Sequence, residues 1–193
     1  MVLKPNGLIY IPNFITHKQA TELINHIDST TWSTELSRRT QHYGYKYVYK
    51  GSYVNETAPD IPHFFDIFRD KLQPYFTNGY NQIIVNEYTK NQGIAKHVDR
   101  PNAFNEVVVS VSLLEPTLMK FHQLEYVNPE TLKKSYIKRV ATGVTYDKIL
   151  EPNSACILTK KARYQWEHEI PVCSNFNTKT GIHNKQSNYR RVS

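Results

Sequence analysis

The run Gly93-Ile94-Ala95-Lys96-His97-Val98-Asp99, with Asn86-Glu87-Tyr88 shortly before it, decides how the rest of the chain is read. His97 and Asp99 stand two residues apart, and on extended backbone two such side chains project to the same side. An imidazole and a carboxylate placed so can meet one metal ion. The third ligand has to come from elsewhere, and His168 is the best candidate. Two histidines and a carboxylate on one face of an octahedral ion leave the opposite positions open. Non-haem Fe(II) oxygenases use that arrangement to admit cosubstrate and oxygen. A lone His-x-Asp occurs often by chance, so its neighbours must carry the reading. The remaining histidines, His17, His26, His42, His63, His122 and His183, read as surface or hydrogen-bonded core residues.

Upstream of this run the pattern is helical. Gly7 to Pro12 reads as a short strand ended by proline. Thr16-His17-Lys18-Gln19 then has the form of a capping box, followed by Ala20, Leu23, Ile24 and Ile27 at helical spacing to about Ser29. A second helix is expected from Pro62, burying Phe64, Phe65, Phe68 and Leu72. Between them, Tyr43, Tyr45, Tyr47 and Tyr49 keep period two, so a strand or hairpin would show all four on one face.

Downstream the chain turns to strands, expected over 82–88, 107–114, 118–124, 136–140, 144–150 and 155–159. The segment 128–140 looks like a charged hairpin insertion, and 174–187 is polar and reads as a mobile loop. Helices first and short strands afterwards predict an α+β fold, with helices packed on a sandwich or barrel-like core.

The 193 residues suit one domain with a sizeable core. Twenty-four Lys and Arg against 17 Asp and Glu give a net charge of +7, which favours polyanionic partners, nucleic acid first among them. Two cysteines without a CxxC pair exclude a disulfide framework, and no stretch is apolar enough for a membrane span or a signal-peptide core. The expectation is an intracellular monomer. Whether it works in cytoplasm or nucleus does not follow from the residues.

Several segments, in order, resemble the AlkB family. Asn86-Glu87-Tyr88, Gly93-Ile94 with His97-Val98-Asp99, and Ser110-Val111-Ser112-Leu113 are similar to its NxY…GI..HxD…SxSL pattern. Ala162-Arg163-Tyr164-Gln165-Trp166-Glu167-His168-Glu169-Ile170 resembles its ARYxWxHxI segment around the distal iron ligand, and Tyr189-Arg190-Arg191-Val192-Ser193 the start of its RxSxTxR strand. That strand continues in the family to a second arginine; for the stop at Ser193 the expectation is truncation within a longer chain, the alternative a protein that lacks that arginine and binds 2-oxoglutarate poorly. Gln41-His42-Tyr43-Gly44-Tyr45 resembles its nucleotide-recognition lid. Matches in family order across the chain are more specific than any one of them.

The resemblance implies a double-stranded β-helix (jelly roll) over about 80–193, with N-terminal helices packed on it and a lid over about 36–54. It implies Fe(II) on His97, Asp99 and His168, with 2-oxoglutarate and O2 as cosubstrates. Asn86 and Tyr88, two apart on a strand, would donate to carboxylate oxygens. Arg191 would bridge the distal carboxylate beside Ser193, since a guanidinium matches a carboxylate in a two-pronged manner. Arg38 and Arg39 would meet phosphates while Tyr43, Tyr45 or Tyr47 stacks on a flipped base.

The reaction implied is hydroxylation of an N-methyl group with loss of formaldehyde, on single-stranded DNA or RNA. The family's bacterial repair members carry an acidic residue just past HxD, where this chain has Arg100-Pro101-Asn102. The local pattern is closer to members acting on modified tRNA wobble uridine. The alternatives are therefore a tRNA or protein hydroxylase or demethylase, and a non-catalytic nucleic-acid-binding relative.

Overall fold

A computed structural model describes residues 3–51, 53–126 and 139–193; the 128–138 part of the expected insertion lies outside them. Strand β1 (Leu8–Ile11) is followed by helix α1 (His17–Asp28). The capping box forms as expected: Thr16 Oγ1 accepts from the Gln19 amide at 3.2 Å, and Gln19 Oε1 accepts from the Thr16 amide at 3.0 Å. Ala20, Leu23, Ile24 and Ile27 are the buried stripe.

The helix expected from Pro62 is instead a 3-10 turn, His63–Phe68, running into the single-turn α2 (Arg69–Leu72). Phe65 and Phe68 are three apart, the period of a 3-10 turn, so that geometry buries both. Phe64 stays half-buried and stacks on His26, ring centroids 4.9 Å apart.

The tyrosine segment forms β2 (Thr40–Tyr43), β3 (Tyr45–Val48) and β4 (Tyr53–Thr57). The rest is β5 (Ile83–Thr89), β6 (Ile94–His97), β7 (Val108–Val111), β8 (Leu113–Leu114), β9 (Thr117–Tyr126), β10 (Arg139–Leu150) and β11 (Ala155–Leu158). Helix α3 (Lys160–Tyr164), β12 (Trp166–Ile170), β13 (Asn175–Thr178), β14 (Gly181–Asn184) and β15 (Arg190–Val192) complete it. The segment 174–187 is thus mainly an antiparallel hairpin, β13 on β14, rather than a loop. Its anchor is Phe176, buried against the His183 ring at 5.0 Å in a mostly polar stretch whose other large apolar side chain, Ile182, is exposed.

The described strands pair antiparallel in three larger sheets, ordered β1-β11-β7, β2-β5-β15-β8 and β10-β9-β12-β6. Alternation along the strands splits the apolar side chains into two cores. Val85, Ala155, Ile157 and Val192 join α1 and the 3-10 turn in one. Tyr88, Cys156 and Leu158 point the other way, to Met119, Phe121, Trp166 and Ile170. The fold is α+β, as the residue pattern predicts. Among the described residues no helix is long and apolar enough to cross a membrane.

Candidate active site

Along β12 the buried positions are Trp166, His168 and Ile170, so period two sets His168 in the inner row. Across the ladder His168 faces His97 and Ile170 faces Ile94, which leaves β6 with one extra residue between the two pairs. This irregularity turns His97 to the side of Ile94, three residues away, where a regular strand would put them on opposite faces. The carbonyl of Ala95, inside the irregularity, lies 2.7 Å from His97 Nδ1. A carbonyl only accepts, so Nδ1 carries hydrogen and Nε2 is directed at Asp99 Oδ1, 3.6 Å away. His168 Nε2 lies 3.8 Å from Asp99 Oδ2. One ligand atom from each of the three lies within 4.8 Å of the others.

Burial pushes the His168 imidazole down to about 4, so it is neutral at neutral pH. Burial works against the Asp99 carboxylate too, but the facing His97 imidazole, with His168 and Arg163 nearby, outweighs it and holds Asp99 below its ordinary value. Burial lowers His97, but Asp99 and the Ala95 carbonyl together raise it, so His97 ends above its ordinary value. Asp99 Oδ2 and His168 Nδ1 are buried with no hydrogen-bond partner among the described residues. An ionised carboxylate and imidazole nitrogens with unspent lone pairs fit a divalent cation.

Arg163 is the residue whose role the sequence does not disclose. Its side chain is buried, and it donates to three carbonyls: Asp99 O at 2.6 Å, Phe104 O at 2.9 Å and Asn105 O at 3.0 Å. It therefore pins both ends of the loop that carries Asp99. Arg163 lies in the quoted segment around His168, but its acceptors are about sixty residues earlier, so only the folded chain reveals them.

The second half of the site lies on β5 and β15, where Tyr88 and Arg191 are cross-strand partners. Arg191 has no exposed surface. It donates to Ser193 Oγ at 3.1 Å and Ser112 Oγ at 3.0 Å, and its guanidinium sits 5.3 Å from the Tyr88 ring centroid. Its Nε is buried without a partner, and no ion pair to Arg191 occurs among the described residues. A buried guanidinium held only by neutral hydroxyls is an uncompensated charge, and an anion would satisfy it. Asn86 and Ser193 exchange backbone hydrogen bonds at 2.8 and 2.9 Å, placing their side chains beside Tyr88 and Arg191. A cavity of about 550 Å³ is lined by Asn86, Tyr88, His97, Asp99, His168 and Ser193 among others. Arg191 is not part of that lining; it lies behind it, against Tyr88 and Ser193.

The lid residues are not brought together in the same way. Gly44 has φ +76 between β2 and β3, which breaks the alternation, so the four tyrosines do not share a face. Tyr43 is a core residue, its hydroxyl donating to Gln41 Oε1 at 3.0 Å and its ring set edge-on to Phe65. Tyr45 is exposed, and Tyr47 packs on Phe104 with centroids 5.2 Å apart. Arg38 and Arg39 part company as well. Arg38 donates to Asn86 Oδ1 at 2.9 Å, and its charge reaches His97. Arg39 ends on Glu87 and lies 4.9 Å from the Trp32 ring, on the other face of β5.

The sequence signature described as the 2OG-Fe(II) oxygenase superfamily matches residues 29–193. The chain belongs to this superfamily. Within it the chain is similar to AlkB-type members. The "Alkylated DNA repair protein ALKBH8 homolog" of Arabidopsis thaliana is 30% identical over 178 residues, covering 86% of this chain and 51% of that protein. "Uncharacterized protein L905" of Acanthamoeba polyphaga mimivirus is 31% identical over 169 residues, covering 86% and 73%. The "tRNA (carboxymethyluridine(34)-5-O)-methyltransferase ALKBH8" of Macaca fascicularis is 26% identical over 195 residues, covering 95% and 27%. The chain thus spans about half of the plant relative and about a quarter of the macaque one. Among solved structures, OsALKBH1 superposes with a TM-score of 0.66 at 16% identity, over 100% of this chain and 96% of that one, a likeness of fold.

Proposed function

We propose that the chain oxidises a modified nucleoside of tRNA, holding Fe(II) on His97, Asp99 and His168 and 2-oxoglutarate on Arg191, Ser193, Asn86 and Tyr88. The observation that carries this reading is one cavity with three ligand atoms within 4.8 Å of each other, two of whose lining residues, Tyr88 and Ser193, contact a buried, unpaired guanidinium. Bound there with O2, iron and 2-oxoglutarate supply the oxidising power to insert oxygen into a substrate C–H bond.

The protein's own part is placement. Arg191 takes the distal carboxylate, with Ser193 completing the cradle. The Asn86 amide and Tyr88 hydroxyl donate toward the metal side of the cosubstrate. Arg163 keeps Asp99 facing the two imidazoles, and the Ala95 carbonyl keeps the His97 ring in the tautomer a metal requires. Tyr47 and Phe104 form an aromatic wall on which a planar base can stack, with Tyr45 exposed beside it. Arg39 and Tyr43 serve the scaffold, since both are engaged on the far side of the sheet.

For the substrate, a tRNA nucleoside takes precedence over the N-methylated bases that the family resemblance put first. Relatives named for carboxymethyluridine 34 of tRNA match at 25–26% over 86–95% of the chain. Those named demethylases match at 22% over 86% and 26% over 69%. The net charge of +7 suits an RNA partner. We further propose one domain over 1–193 that acts as a monomer, with a lid over about 36–54 and strands closing as a double-stranded β-helix over about 80–193.

The test is aerobic incubation with Fe(II), 2-oxoglutarate and tRNA carrying carboxymethyl-type wobble uridines, followed by mass analysis of the nucleosides. A gain of one oxygen, absent with His97→Ala, is expected. Formaldehyde release from methylated oligonucleotides with unaltered tRNA would instead restore the demethylase reading.

A further inference from the structure

Arg38 and Arg191 lie against the same ring. The Arg38 guanidinium lies 6.0 Å from the Tyr88 centroid and that of Arg191 lies 5.3 Å from it. Arg191 is at the buried end, between Ser112 and Ser193. Arg38 comes from the start of the lid and meets Asn86. No ion pair of either arginine occurs among the described residues, whereas Arg39 is paired with Glu87 and Arg190 with Glu87 and Asp28. We infer that Arg38 is a positioning residue for the cosubstrate: it orients the Asn86 amide and presents a second guanidinium to the metal-side carboxylate of 2-oxoglutarate. This rests on the function proposed above.

The argument is one of donors and acceptors. Arg38 Nε donates to Asn86 Oδ1 at 2.9 Å, which spends the acceptor of that amide. The amide NH2 is then the end left for a ligand, and it can only donate, so a carboxylate oxygen is its natural partner. Without Arg38 the amide could turn either way, and half of its orientations would offer an oxygen to an oxygen.

Charge points the same way. A 2-oxo diacid has a carboxylate at each end, and Arg38 and Arg191, neither of them ion-paired among the described residues, both lie beside Tyr88, which lines the cavity. A phosphate-gripping arginine would extend its fork into solvent. Arg38 is instead half-buried, its Nε spent inward and its guanidinium 5.5 Å from the Tyr49 centroid. Tyr49 follows β3, so Arg38 also joins the lid to the cosubstrate floor, and cosubstrate binding would steady the lid.

The experiment uses the full chain, loaded anaerobically with Mn(II), with Arg38→Met, Arg38→Lys and Arg191→Met variants. Calorimetry gives the affinity for 2-oxoglutarate and for 2-oxobutyrate, which lacks the distal carboxylate. Fluorescence anisotropy gives the affinity for tRNA, and thermal unfolding checks each variant's fold. Arg38→Met should weaken both 2-oxo acids by the same factor, roughly tenfold to a hundredfold, with Arg38→Lys in between. Arg191→Met should weaken 2-oxoglutarate alone. Loss of tRNA affinity in Arg38→Met with 2-oxo acid binding unchanged would overturn the inference and return Arg38 to a phosphate contact. Unchanged binding of every ligand would overturn it too. If Arg191→Met and His97→Ala both bind 2-oxoglutarate like the wild type, the proposed site itself fails, a result distinct from failure of Arg38 alone.

Discussion

Adjacent residues in this chain take opposite parts, because a strand sends neighbours to opposite faces. Asn86 and Tyr88 look into the cavity, while Glu87 between them is buried on the helix side under Arg39 and Arg190. The hydrogen bond from Arg39 comes first in holding the Glu87 carboxyl below its ordinary range, against burial and together with Arg190. A depressed carboxyl contributes stability above its unfolded pKa and loses it as pH falls through the folded one. Glu87→Gln should therefore cost about 2 kcal/mol at neutral pH. The gap to wild type should close below the ordinary carboxylate value of 4.5, read by urea unfolding across pH. Arg163 offers a second case. Arg163→Met keeps the bulk but strands three carbonyls, so it should cost about 3 kcal/mol in stability and weaken Mn(II) binding by roughly tenfold or more. If calorimetry finds the metal affinity intact, the loop does not need Arg163 to hold Asp99.

Two irregular positions in the strands shape the site. The extra residue in β6 aims His97 inward, and the turn at Gly44 separates β2, a core strand, from β3, a surface strand. Gly44 is held from both sides, its amide donating to Pro59 O at 2.7 Å and its carbonyl accepting from Ala58 at 3.2 Å. A Cβ there would lie 2.1 Å from Asn81 O, at a φ that L side chains rarely adopt. Gly44→Ala should cost roughly 2 kcal/mol or more by denaturant unfolding. Hydrogen exchange should rise in β3 and β4 before it rises in β5. A mild, uniformly spread change would show that the turn can yield.

The whole molecule carries an excess of seven positive charges, and this belongs to no single residue. Affinity for tRNA should fall by an order of magnitude or more between about 50 and 200 mM salt. Calorimetric affinity for 2-oxoglutarate should change far less, since Arg191 is buried beyond the reach of screening ions. Equal salt slopes for both ligands would count against an RNA surface distinct from the cavity. Much of this was legible in the chain alone. The capping box of α1, the α+β order and the triad of His97, Asp99 and His168 rest on local spacing and on segments in family order. The hairpin of 174–187 was not legible, because its one buried anchor, Phe176, sits among polar residues. Nor were the separate fates of Arg38 and Arg39, or the clamp made by Arg163. Sequence settles which side chains are available and which repeat along an element, since those depend on neighbours within a few residues. Only the tertiary structure decides which distant carbonyl, carboxylate or ring each one meets, because those partners arrive from segments about fifty to a hundred residues away.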